Sequence, residues 1–321
     1  MIFSSKATAR VRTGVAALVA TVVGALALGL IAACGGGTSQ YDPFVPKRLI
    51  VFGDENSTIT ANGRKYSVNG LDGNNAIDCT QQPIWVQSLA NAYGFVFAGC
   101  NPTQADVTAL MQAFAGARVE DVAAQVEAQV AAGGFRDRDL ATMLAGANDV
   151  FDLYVQYPGR SAESLLAEAG ARGRRLALVV NRLVALGVKV VVSDLPDLGL
   201  TPYAYNENLI SSGSDRSGLL SSLTTAFNEQ LGVSIVLDGH FVGLVQAQLR
   251  FQAIGRSPAS FGLADIVDPV CTVPLPLCTT STLQIGAVPS QYLWSDDRWL
   301  APGGHNQLAT LALDRATRNP F

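Results

Sequence analysis

Five apolar runs of strand length, separated by longer stretches of helical periodicity, constrain this chain more than any other feature. The runs are "RLIVFGD" (48–54), "YGFVFAG" (93–99), "LATMLAGAND" (140–149), "VKVVVSDL" (188–195) and "VSIVLDG" (233–239). Several are β-branched and apolar without alternation, the pattern of a parallel strand covered on both faces. Between them lie "PIWVQSLANAY", "VEDVAAQVEAQVAAG", "SAESLLAEAGARGRRLALVVNRLVALG" and "RSGLLSSLTTAFNEQLG". The third closes on a glycine before the next strand, a frequent helix stop. Such βα repetition predicts an α/β fold with a doubly wound, parallel, five-stranded sheet, and ligands of such sheets bind at the carboxyl ends of the strands.

Two stretches break the rhythm. Residues 55–82 are dense in Asn, Gly, Asp and Ser, and residues 254–292 carry Pro, Cys and Thr. Both read as ordered surface loops, pinned by cysteines and framing the site. There is no internal repeat, P-loop or dinucleotide-binding glycine pattern. With 49% hydrophobic and 15% charged residues the chain can bury a sizeable core. Its formal charge of -4 and lack of a Lys/Arg cluster point away from a nucleic-acid partner.

The first 33 residues differ from the rest. Lys6, Arg10 and Arg12 form a cationic head without acids, followed by "GVAALVATVVGALALGLIAAC". This is the pattern of a bacterial secretory signal, with a plain transmembrane anchor as the competing reading. "LIAAC" followed by "GGGTSQ" resembles a lipobox, which implies cleavage before Cys34 and lipid on its thiol. Residues 1–33 are then the signal, 34–46 a flexible tether and 47–321 the folded domain. Losing three cations takes the formal charge from -4 to -7. Gly35, where inner-membrane retention is associated with aspartate, makes the outer membrane the expected address, facing either the periplasm or the exterior.

Four cysteines remain: Cys79, Cys100, Cys271 and Cys278. An even number in an exported chain reads as disulfides. Three connectivities are open, of which local pairing, Cys79 with Cys100 and Cys271 with Cys278, is preferred. A cysteine metal site is disfavoured because no Cys-x-x-Cys spacing is present and only two histidines exist.

"VFGDENS", "AFAGAR", "AGANDVFDLY", "VVVSDLPDLGLTP", "AFNEQL" and "YLWSDDRWLAPGGHNQLA", in that order, make the chain resemble the SGNH/GDSL family of lipases and acylhydrolases, from Arg48 to about Ala309. The resemblance implies the SGNH-hydrolase fold, a flavodoxin-like three-layer sandwich, and ester hydrolysis without a cofactor. It implies a serine nucleophile after the first strand and a histidine base three residues after an aspartate. It also implies an oxyanion hole made by the serine N–H, a glycine N–H and an asparagine amide. By position the glycine is Gly116, the asparagine Asn148 and the aspartate Asp296. Glu55 stands at the serine position and Trp299 at the histidine position. An indole offers one N–H donor and accepts no proton.

Several readings of these residues stay open. A relocated triad of Ser57 and His305, oriented by Asp296 or Asp297, would rescue ester hydrolysis. Glu55 is a relic of decay, or its carboxylate fills the oxyanion hole with a lowered pKa, or it pairs with Asp296 for glycoside cleavage. Asp54, Glu55, Asp149, Asp296 and Asp297 could ligate Ca²⁺ or Mg²⁺, but bracing of the turn and loop by Asp54 and Asp149 is the better-supported role, and no metal is expected. His240 follows the fifth expected strand. Phe52, Trp85, Phe114, Phe151 and Trp294 read as core, whereas Trp299 is expected at the cleft mouth, to stack on a ligand or plug the cleft. The expected function is that of a lipid-anchored pseudo-esterase binding a glycan, lipid or protein partner in the old cleft. The alternative is an active ester hydrolase using Ser57 and His305.

Overall fold

The computed structural model describes residues 44–211 and 213–321. The expected signal 1–33, the lipidation site Cys34 and the tether up to residue 43 lie outside the described residues. Phe44 stacks edge-on against Phe321 and Pro46 is buried, so the packed body takes in residues assigned above to the tether.

The sheet has five strands: β1 (Arg48–Gly53), β2 (Ala109–Met111), β3 (Asp139–Leu144), β4 (Lys189–Ser193) and β5 (Val242–Val245). They lie in the order β2-β1-β3-β4-β5, and every pairing is parallel. Leu49 to Phe52, Leu140 to Ala141 and Val190 to Val192 are fully buried. That is the two-sided burial expected of strands with unbroken apolar runs. Helices Trp85–Tyr93 and Pro302–Arg318 pack on one another, and Val119–Ala131, Ala162–Ala185 and Arg216–Ser234 form a second packed group. Because crossovers between parallel strands are right-handed as a rule, this strand order puts the two groups on opposite faces of the sheet, as three layers.

Two of the five expected strands are elsewhere. In 93–99, Gly94 ends the preceding helix in the left-handed region, with φ 71. Phe97 then makes only isolated bridges, to Ala109 and Cys100, before the chain turns into the Cys79–Cys100 disulfide. The second strand is the short "ALM" that follows. In 233–239 the helix runs on through Gly232 to Ser234. The Asn181 side chain then accepts the Val236 N–H at 2.8 Å and donates to the Ser234 carbonyl at 3.0 Å. This turns the chain, and the fifth strand starts at Val242.

The two irregular stretches are surface loops only in part. Residues 55–59 and 67–70 are buried, and Val68 packs with Val270, Cys271, Cys278 and Ala301 in a small second core. Cys79 pairs with Cys100 and Cys271 with Cys278, the local pairing. Lys65 is fully buried, and its ammonium donates to the carbonyls of Cys79, Gln81 and Gln82. Phe52, Trp85, Phe151 and Trp294 are core as expected, but Phe114 is 46% exposed, beyond the end of its short strand.

Candidate active site

The end of β1 is built around a glycine. Gly53 has φ 143, and a Cβ there would lie 2.2 Å from the Leu144 carbonyl oxygen, so no other residue fits. The Gln125 side chain accepts the Gly53 N–H at 2.9 Å and donates to its carbonyl at 3.0 Å. Asp54 then accepts the Asn56 N–H at 3.1 Å and caps a single 3-10 turn, Glu55–Ser57. Its carboxyl is fully buried, and burial first, then the neighbouring Glu55, push its pKa well above the usual carboxylate range.

The turn aims Glu55 across the carboxyl ends of the strands. One carboxylate oxygen accepts the Gly116 N–H at 2.7 Å, and the other accepts the Asn148 side-chain amide at 2.8 Å. Gly116 holds φ 82, which suits glycine. Asn148 lies in the first turn of helix Ala147–Tyr154, entered through Gly146 at φ 118, and its amide also donates to the Ala117 carbonyl at 3.1 Å. Behind it, Asp149 accepts the Val119 N–H at 3.0 Å and meets Arg172 at 3.4 Å, while burial pushes its pKa up to about 6. Both carboxylates thus brace the turn and loop as expected. The direction of the Glu55 shift is the reverse of expectation. Burial raises it, and the Asn148 amide, the Gly116 N–H and the Arg298 charge oppose that rise without overcoming it. Desolvation of a carboxyl that is 7% exposed outweighs two good donors.

Asp296 is engaged by the backbone that follows it. One of its oxygens accepts the backbone N–H of Arg298 at 2.9 Å and of Trp299 at 2.7 Å, and burial pushes its pKa up to about 6. Trp299 is 8% exposed and packs edge-on against Phe151, with ring centroids 6.5 Å apart, so it is a buried side chain and not one projecting at a cleft mouth. Arg298 takes the more open position, its guanidinium 4.8 Å from the Phe151 ring and 4.5 Å from the Tyr203 ring.

Ser57 and His305 both contact Trp85, at different atoms. The Ser57 hydroxyl accepts the Trp85 indole N–H at 3.2 Å, and His305 Nδ1 accepts the Trp85 backbone N–H at 3.4 Å. Both side chains are buried, and among the described residues no hydrogen bond joins them or reaches His305 Nε2. Burial, helped by the Lys65 charge, lowers the His305 pKa to about 3, so the ring is neutral at physiological pH. The expected Ser57–His305 contact is absent because the tryptophan stands between the two elements. His240 is exposed on a distant turn and bonds Asp238. Among the described residues no three His, Cys, Asp or Glu side chains gather as a metal site.

A family profile described as GDSL-like lipase/acylhydrolase matches residues 49–297, which is most of the chain. The chain belongs to that family. It is 24% identical over 254 residues to a phosphatidylcholine-sterol acyltransferase of Aeromonas hydrophila, covering 74% of this chain and 69% of that protein. Among solved structures it is similar to an acetylxylan esterase from Geobacillus stearothermophilus, at 16% identity over 85% of this chain and 96% of the other, with TM-score 0.43. It is also similar to a member of the lipolytic G-D-S-L family from Veillonella parvula, at 13% identity over 83% and 96%, with TM-score 0.41.

Under the alignment that the motif resemblance implies, Gly116, Asn148 and Asp296 stand at the donor and aspartate positions, and Glu55 and Trp299 at those of the serine and histidine. What occupies the two donors is a side chain of the protein itself, the Glu55 carboxyl group. Three supporting residues were not singled out from the sequence: Gln125, Trp85 as the bridge between Ser57 and His305, and Arg298. Gln125 left a signal, a polar residue between Val122 and Val126 on the buried stripe of its helix. Arg298 left none, since an arginine in a loop says nothing about the rings beside it.

Proposed function

We propose that this GDSL-family chain is an exported lipoprotein, lipid-anchored through Cys34 and addressed to the outer membrane, whose cleft no longer hydrolyses esters. In this reading it is a pseudo-esterase that binds a glycan, lipid or protein partner through the old cleft. The observation that carries the reading is the position of Glu55. Its carboxylate accepts hydrogen bonds from both Gly116 and Asn148, the donors that a substrate oxyanion would need. A carboxylate attacking an ester would form a mixed anhydride, and no imidazole faces it to take or return a proton.

The test is to offer the full chain short-chain aryl esters and a fluorophosphonate probe. The reading expects neither turnover nor labelling. Labelling at Ser57, together with activity lost in Ser57→Ala, would overturn it and make the chain an ester hydrolase working through Ser57 and His305.

A further inference from the structure

All five strands are parallel, so their amino ends form one face of the domain, opposite the end that carries Glu55, Gly116 and Asn148. The segments leading into the strands are joined there. The Lys47 N–H donates to the Arg138 carbonyl at 2.9 Å, the Lys189 ammonium to the His240 carbonyl, and the Asn319 side chain to the Gly239 and Val242 carbonyls.

Two properties coincide on this face. Large apolar side chains stand out into solvent: Val45 (54%), Leu186 (36%), Val233 (74%), Val236 (61%) and Leu237 (57%). The face is also basic. Arg48 and Asp139 neutralise one another in an ion pair, which leaves Lys47, Arg136, Arg138 and Lys189 against Asp137 and Asp238. That excess of cations sits on a chain whose formal charge is -4. Apolar side chains among lysines and arginines match the interfacial zone of a bilayer with anionic lipids.

The chain also enters the domain at this face, at Phe44 against Phe321. Nine residues lie between Cys34 and Phe44, which puts the two at most about 35 Å apart when the chain is fully extended. Lipid on Cys34 would therefore hold this face within reach of the bilayer.

We propose that the amino-end face of the sheet rests on an anionic bilayer, with Val233, Val236 and Leu237 entering the interface and Lys47, Arg138 and Lys189 meeting lipid phosphates. The cleft then opens away from the membrane that anchors the chain. Its ligand is a soluble molecule or one carried on a facing surface, and not a lipid of the same bilayer. The proposal rests on the lipoprotein reading above.

The experiment uses the full chain reconstituted into vesicles of phosphatidylcholine and phosphatidylglycerol with brominated acyl chains. Flotation is measured first, then tryptophan emission of Leu237→Trp and Ile285→Trp, each as the difference from the unsubstituted chain. Ile285 is fully exposed and follows Gln284, whose N–H bonds the Val270 carbonyl, while Val270 and Cys271 bond Trp294 and Ser295 next to Asp296, so it reports the opposite orientation. The expected result is flotation, loss of the emission added at position 237, and no loss at 285. Replacing phosphatidylglycerol with phosphatidylcholine should weaken the quenching at 237. Absence of flotation removes the anchoring reading and this proposal with it. Flotation with position 237 unquenched, or with 285 quenched, overturns the proposed orientation alone and leaves the anchoring intact. Val236→Trp serves as a second probe should Leu237→Trp fail to fold.

Discussion

The carboxylate of Glu55 joins Gly116 to Asn148, taking the backbone N–H of one at 2.7 Å and the side-chain amide of the other at 2.8 Å. Glu55→Ala should therefore leave two aligned donors facing a small polar void. Acetate at millimolar concentration should raise the melting temperature of Glu55→Ala and not that of the unsubstituted chain, because a ligand that binds only the folded state stabilises it by mass action. Thermal melts with and without acetate check this. Equal shifts in both proteins would mean that the donors are not available as an anion site.

A second prediction concerns the entry to the Asn148 helix. A Cβ on Gly146 would lie 2.4 Å from the Phe227 ring, on a backbone at φ 118. Gly146→Ala should cost about 3 kcal/mol through combined backbone strain and overpacking. Urea unfolding measures it, and a cost near zero would show that Phe227 can move aside freely.

The site was legible only in part, for reasons that particular residues make plain. Asp54 and Asn148 could be placed at the ends of apolar runs that became β1 and β3, whereas Gly116 and Asp296 were placed only by the resemblance to the family's motifs. β1, β3 and β4 were found from such runs. β2 was missed because its three residues are too few to show a period. β5 was missed because "VSIVLDG" is as apolar and β-branched as a strand, while the Asn181 side chain turns the chain there. The relation of Ser57 to His305 depends on Trp85, which reaches the site from another helix. The sign of the Glu55 shift was misjudged because donors can be guessed from a motif, whereas burial of the carboxyl cannot.

The pH dependence of stability has a definite sign at Asp194. Its carboxyl accepts the Gln248 N–H at 2.9 Å, and burial pushes its pKa up to about 7. An acid whose pKa is raised by folding contributes stability that is complete below its ordinary value, about 4, and lost as pH rises through the folded value. Asp149 and Asp296, each pushed up to about 6, act in the same direction. Asp194→Asn keeps an acceptor for Gln248 and removes one titration. Its melting temperature should fall less between pH 5 and pH 8 than that of the unsubstituted chain. Parallel pH profiles would contradict the assignment.

The Cys79–Cys100 disulfide closes a loop whose ends are 21 residues apart, and three carbonyls near its first cysteine hold the buried Lys65. Replacing both cysteines with alanine should cost about 3 kcal/mol, the chain-entropy value for a loop of this length. A larger loss, measured by urea unfolding, would indicate that the Lys65 cage collapses with the disulfide.

Restoring the family's serine and histidine together tests the central claim most directly. Glu55→Ser with Trp299→His frees Gly116 and Asn148 for an oxyanion and sets a histidine three residues after Asp296. Hydrolysis of a short-chain aryl ester by the double variant should rise clearly above that of the unsubstituted chain, with little gain in either single variant, because the members of a triad act as a unit. A double variant that folds, melts cooperatively and remains inert would contradict the claim that Glu55 occupies an otherwise intact oxyanion hole.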